Sequence, residues 1–201
     1  MRKEVKIDST RYLLLDWNEI AVLINDLADR IKARCYTPNL IIGIFRGGMM
    51  VAHLLSDRLG MYNIRGIGAK LYQRTGKRDD SLDIYQPLPL KDLKAYDVLI
   101  ADDVLDTGTT FRGVLESQIH PKNPRRLCTV SLHVKPWAKH KPSLYVEETN
   151  CWVRYPWESY EVARDIYKDL LETHSPEIAK KLLIEKFEFN PFVIERIANS
   201  M

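Results

Sequence analysis

The stretch 98–110, VLIADDVLDTGTT, constrains this chain more than any other. Its opening residues are an unbroken apolar run, the pattern of a strand covered on both faces of a parallel sheet. Two adjacent acids follow, Asp102 and Asp103, then a third, Asp106, and then Thr107, Gly108, Thr109 and Thr110. The pattern predicts a strand over 96–101, a loop over 102–110 and a helix starting near Phe111. Ligands of open parallel sheets bind at the carboxyl ends of the strands. Paired carboxylates in that position accept hydrogen bonds from vicinal hydroxyls or hold a hard divalent cation such as Mg2+. Gly108 frees the backbone to turn, and the amides that open a helix are unpaired donors suited to phosphate. The loop carries no lysine, which excludes a Walker A phosphate loop. A plain helix cap would need only Asp106 or Thr107; it gives no account of the acidic pair or of the remaining threonines.

The rest of the chain supplies the partners of that strand. Residues 10–15 read as an edge strand, and Asp16 is placed to cap a helix over 17–34, where Ile20, Leu23, Leu27 and Ile31 recur at helical spacing. Residues 40–45, LIIGIF, are a second buried strand; Arg46, Gly47 and Gly48 interrupt it, and a helix over 49–59 closes at Gly60. A further strand is expected over 63–71. Residues 73–89 hold Arg74, Lys77, Arg78 and two prolines with no clear period, consistent with either a mobile active-site loop or a hairpin excursion. Strands are expected over 126–133 and within 144–153, and helices over 160–173, over 176–186 and after Pro191. Strands alternating with helices predict an α/β fold, with a central, mostly parallel sheet flanked by helices.

Composition adds bounds. A chain of 201 residues suits one domain, with 45% hydrophobic and 28% charged residues as in ordinary globular proteins. A net charge of +3 suits small polyanionic ligands and is too low to argue for nucleic acid. Cys35, Cys128 and Cys151 are an odd number and are not spaced as a metal clip, so reduced thiols and a cytoplasmic setting are expected. The charged start, MRKEVK, does not read as a signal peptide, and no apolar run approaches the roughly 18 residues of a membrane span.

The 98–110 segment resembles the phosphoribosyl pyrophosphate (PRPP) signature of type I phosphoribosyltransferases. The resemblance implies that fold, with a small hood over the base site. It implies a transferase domain over 1–160 and a helical extension over 161–201. It assigns Asp102 and Asp103 to the ribose hydroxyls and the Mg2+ shell, and Asp106, Thr107, Gly108, Thr109 and Thr110 to the 5′-phosphate. Asp106 would also relay a proton at purine N7. Arg46 and Gly47 resemble the family's pyrophosphate loop, and the 72–81 segment its lid, where Arg74 and Lys77 would meet pyrophosphate or serve as solvated surface charge. Lys135-Pro136, followed by Trp152 to Glu158 (WVRYPWE), is similar to bacterial xanthine-guanine phosphoribosyltransferases. There Lys135 would read O6, Trp152 would stack on the base, and Val153 and Glu158 would serve the 2-position side. Glu158 stands in place of a shorter Asp, which leaves the choice between xanthine and guanine open. The implied partners are PRPP, a 6-oxopurine, the nucleoside 5′-monophosphate and pyrophosphate, in a homodimer or homotetramer, with no nucleic acid and no membrane. A nucleotide-binding regulator of the same fold, or a transferase for another base such as adenine, is the alternative.

Overall fold

A computed structural model describes residues 3–7, 9–34, 36–72 and 81–201. The chain divides into two compact units, Ala21–Asn150 and a second made of Met1–Ile20 with Cys151–Met201.

The Ala21–Asn150 unit is built on a six-stranded sheet. Its strands are β3 (Leu40–Phe45), β4 (Ile64–Tyr72), β5 (Ser81–Gln86), β6 (Asp97–Leu105), β7 (Arg126–Val134) and β8 (Leu144–Glu148), in the spatial order β5-β4-β3-β6-β7-β8. All neighbours are parallel except β4 and β5. The predicted α/β class, with its mostly parallel central sheet, is therefore present. The apolar runs Leu40 to Ile42 and Val98 to Ala101 are wholly buried, as the sequence required of central strands. Helix α2 (Gly47–Leu59) packs Val51, Ala52 and Leu55 against β3 and β6, and ends on Gly60 at φ 67. A contiguous core joins Ile42, Ile44, Ile67, Val98 and Ile100 to Phe111 and Val114 of α3 (Thr109–Val114).

Two departures from the sequence reading matter for the site. The acidic pair does not follow β6 but lies within it. On one side the ladder with β3 stops at Gly43 opposite Ala101; on the other, β7 continues to pair through Asp102, Val104 and Leu105. The loop is correspondingly shorter, and α3 begins at Thr109 and runs on into a π-helical turn, Leu115–Ile119. Part of the expected 73–89 loop is strand β5, which packs Leu82 and Ile84 on the core; Arg74, Lys77 and Arg78 lie outside the described residues.

The second unit holds a three-stranded sheet of β1 (Lys3–Ile7), β2 (Thr10–Leu14) and β9 (Trp152–Arg154), and helices α4 (Ser159–Leu170), α5 (Pro176–Glu185) and α6 (Pro191–Ala198). The strand expected at the edge, β2, is the central one, antiparallel to β1 and parallel to β9. The expected 144–153 strand region is split between the two sheets. Its core gathers Tyr12, Leu14, Ile166, Leu170, Leu183, Phe187 and Ile194, with the Tyr12 and Phe187 rings edge to face at 5.0 Å. Arg154 donates to the Phe187 carbonyl at 3.1 Å, and its burial lowers the guanidinium pKa. Helix α1 (Trp17–Ala33) opens on the expected cap: Asp16 Oδ1 accepts from the Glu19 amide at 2.8 Å, and Glu19 Oε2 accepts from the Asp16 amide at 3.1 Å.

Helix α6 has Pro191 in its first turn and Asn190 as its cap, with Asn190 Oδ1 accepting from the Phe192 amide at 2.9 Å. Asn190→Ala is expected to cost about 1 kcal/mol, the usual worth of such a cap. Chemical denaturation checks this; an unchanged midpoint would mean that α6 adds nothing to the cooperative unit. Among the described residues, no helix is long and apolar enough to cross a membrane.

Candidate functional site

Three strands of the larger unit end together, and each delivers part of one site. From β3 the chain passes through a cis Phe45–Arg46 peptide into Arg46, Gly47 and Gly48 at the start of α2. A Cβ on Gly47 would collide with the Asp103 carboxylate, and one on Gly48 would stand 2.5 Å from the Ala101 carbonyl oxygen. These glycines are therefore needed for the β3 turn to lie flat against the acidic end of β6. Arg46 is exposed beside them.

From β6 come the acids. Asp103 is buried and Asp102 half-buried. Asp102 Oδ1 accepts from the Asp103 amide at 3.1 Å, and Asp103 Oδ1 accepts from the Val104 amide at 2.8 Å. Each carboxylate is thus oriented by the backbone of the residue after it. Among the described residues no three His, Cys, Asp or Glu side chains converge on a metal position. Two adjacent carboxylates without a third ligand match what Mg2+ takes when substrate phosphate and water complete its shell, so the donor set fits that ion.

Beyond β6, residues 106–108 form a tight turn. Gly108 sits at φ 78, and a Cβ there would run into the His140 carbonyl oxygen. Thr107 and Thr109 hydroxyls are 2.9 Å apart, and the Thr109 amide donates to Thr107 Oγ1 at 3.2 Å. The first intrahelical bond runs from the Arg112 amide to the Gly108 carbonyl at 2.9 Å. Thr107 and Thr109 are exposed and Thr110 half-buried.

From β7 comes Lys135, whose side chain is buried. Its amide donates to the Leu105 carbonyl at 2.9 Å, and the Lys139 amide donates to the Thr107 carbonyl at 3.1 Å. The 135–139 turn is thereby fastened to the chain on both sides of Asp106. One residue of this turn escaped the sequence reading: Trp137 donates its indole N–H to Asp106 Oδ1 at 2.6 Å. A tryptophan two residues past a candidate site lysine, at the end of a core strand, was the available signal.

Arg46, Gly47, Asp102, Asp103, Asp106 to Thr110 and Lys135 are thus brought to one end of one sheet. Trp152, Val153 and Glu158 belong to the other unit. There Trp152 is 61% exposed and Val153 is buried, opposite Tyr12 and Leu13 of β2. Glu158 closes a short 3-10 turn whose Trp157 stacks on Tyr155 at 4.7 Å. Cys128 and Cys151 are buried, and burial pushes the Cys128 thiol up, away from nucleophilic character.

The chain is similar to known proteins in sequence and in fold. A purine phosphoribosyltransferase structure from Pyrococcus horikoshii superposes with a TM-score of 0.65 at 35% identity, covering 73% of this chain and 93% of that one. A xanthine-guanine phosphoribosyltransferase of Idiomarina loihiensis is 25% identical over 76% of this chain and 90% of its own length. A hypoxanthine-guanine phosphoribosyltransferase of Schizosaccharomyces pombe is 28% identical over 84% of this chain and 95% of its own. The family described as phosphoribosyl transferase domain matches residues 13–164, well over half of the sequence, and the chain belongs to that family.

Proposed function

We propose that this protein is a purine phosphoribosyltransferase that moves the 5-phosphoribosyl group of PRPP onto a 6-oxopurine. The observation that carries the reading is the convergence, at the ends of β3, β6 and β7, of a glycine turn with an exposed arginine, an acidic pair, a threonine-rich turn and a buried lysine. In this reading the Thr107 and Thr109 hydroxyls and the opening amides of α3 hold the 5′-phosphate. Asp102 and Asp103 take the ribose hydroxyls and would hold Mg2+. That ion, when bound, supplies positive charge against the pyrophosphate. Arg46 and the Gly47 amide receive the leaving group, with Arg74 and Lys77 as further candidates from the 72–81 segment.

A purine nitrogen bonds to ribose C1 as the bond from C1 to the pyrophosphate oxygen breaks, and the electron pair leaves with pyrophosphate. The transition state resembles an oxocarbenium ion, as in glycosyl transfer generally. Asp106 accepts the proton from N7 of the base and passes it to water. Lys135 donates to O6, which favours guanine, hypoxanthine or xanthine over adenine. For Trp152 we propose stacking on the base, and for Val153 and Glu158 contacts to its 2-position side. The protein's share of the work is positioning and electrostatics. A cytoplasmic homo-oligomer is part of the same reading.

The test is pyrophosphate release from PRPP with guanine, hypoxanthine, xanthine and adenine in turn. Turnover with one or more 6-oxopurines, and little with adenine, is expected. Tight nucleotide binding without turnover of any base would replace the enzyme with a ligand-sensing protein of the same fold.

A further inference from the structure

We infer that Trp137 is a positioning residue for this reaction, touching both the Asp106 carboxylate and the Lys135 ammonium and orienting them toward neighbouring atoms of the purine edge. The inference rests on the transferase reading above and adds to it a residue that acts through others.

Burial does not explain a tryptophan here. Trp137 leaves 54% of its surface in water, so it gains little of the stabilisation that a large aromatic earns inside a core. What it does have is directional contact. Its indole nitrogen can only donate, and it donates to a carboxylate oxygen, Asp106 Oδ1, at 2.6 Å, a short charge-assisted bond. Its ring stands 5.7 Å from Lys135 Nζ, within the reach of a cation–π contact. One side chain therefore touches both groups assigned to the O6 and N7 edge of the base.

The backbone presets that reach. The Ala138 amide closes a turn on the Lys135 carbonyl at 3.0 Å. The same turn is fastened to Leu105 and Thr107, the residues on either side of Asp106, at 2.9 and 3.1 Å. None of these bonds depends on a side chain, so the Trp137 ring is delivered to Asp106 by the main chain alone. Asp106 itself is exposed. A carboxylate in water turns freely about its terminal torsion, which has broad wells. The indole bond to one oxygen stops that rotation and holds the second oxygen in a single direction. On a 6-oxopurine, O6 and N7 lie side by side on one edge. In the transferase reading Lys135 serves O6 and Asp106 serves N7, and proton transfer is sensitive to the alignment of its acceptor.

The test uses the full-length protein. Trp137→Phe keeps a ring for Lys135 and deletes only the donor. On the order of a tenfold fall in kcat is expected, with the KM for PRPP within about twofold of wild type, because the 5′-phosphate contacts are untouched. The same substitution placed on Asp106→Asn should cost almost nothing further, since Trp137 would then have no general base to align. An unchanged kcat in Trp137→Phe, or an equal loss in both backgrounds, would overturn the inference. A second measurement avoids substituting Trp137. Its indole Nε1 proton resonance should move upfield in Asp106→Ala, and an unmoved signal would break the proposed link. Inactive wild-type protein would bring down the transferase reading and this inference together. Active wild type with an indifferent Trp137→Phe would bring down the inference alone.

Discussion

Asp106→Asn is expected to lower kcat by about two to four orders of magnitude, the span a positioned general base contributes, while the melting temperature stays at the wild-type value. The substitution keeps the shape of the side chain, and an amide oxygen can still accept the Trp137 indole proton now received by Oδ1. What disappears is the ability to take a proton from the base. Asp106 is exposed, so no buried charge or cavity is created. Thr107 to Thr110 remain in place, so the KM for PRPP should change far less than kcat. Steady-state pyrophosphate release and a thermal melt, done together, check this. A large rise in that KM with kcat preserved would reassign Asp106 from the base to the ribose phosphate.

Gly108→Ala is expected to lose about 2–5 kcal/mol of stability and to weaken PRPP binding at least tenfold. Two costs add. At φ 78 a side chain strains the backbone by roughly 1–2 kcal/mol. The new methyl group would also meet the His140 carbonyl oxygen, and relieving such overpacking costs about 1–3 kcal/mol. Relief requires that either the 106–108 turn or the 139–141 segment move, and the Lys139 amide bond to Thr107 resists both. Urea denaturation gives the stability, and the KM for PRPP gives the binding. Wild-type values for both would mean that the turn is not braced by residue 140.

How far the sequence reveals this architecture differs from element to element. Strand β3 falls where its apolar run does, because a strand buried on both faces leaves no ambiguity of composition. The Asp16–Glu19 cap is legible for the same local reason. Strand β1 is hidden because Lys3, Glu4 and Lys6 mask its alternation, and it becomes a strand by pairing with β2. Strand β5 does alternate, with Leu82 and Ile84 inward, but it is set between a polar run and Pro87. The extent of β6 depends on a neighbour: nothing in the residues 102–105 says that β7 will continue to pair with them.

The candidate site divides in the same way. The acids, the threonines and Arg46 are legible because their chemistry is carried by contiguous residues. The Trp137–Asp106 bond joins residues 31 apart in sequence, and it exists only because the turn after β7 is pinned to the one after β6.

The strand order has a consequence of its own. The chain winds outward from β3 to β4 and β5, then returns to β6 on the opposite side of β3. Winding direction reverses between these two strands, so the connections leaving them diverge. A crevice opens at their carboxyl ends that no crossover fills. The cleft is therefore a property of the path of the backbone, whereas the acids and threonines set into it are a property of the sequence. Affinity for an anion and the capacity for turnover can accordingly be lost independently, and a relative that keeps the winding while changing Asp106 would still have a place to bind.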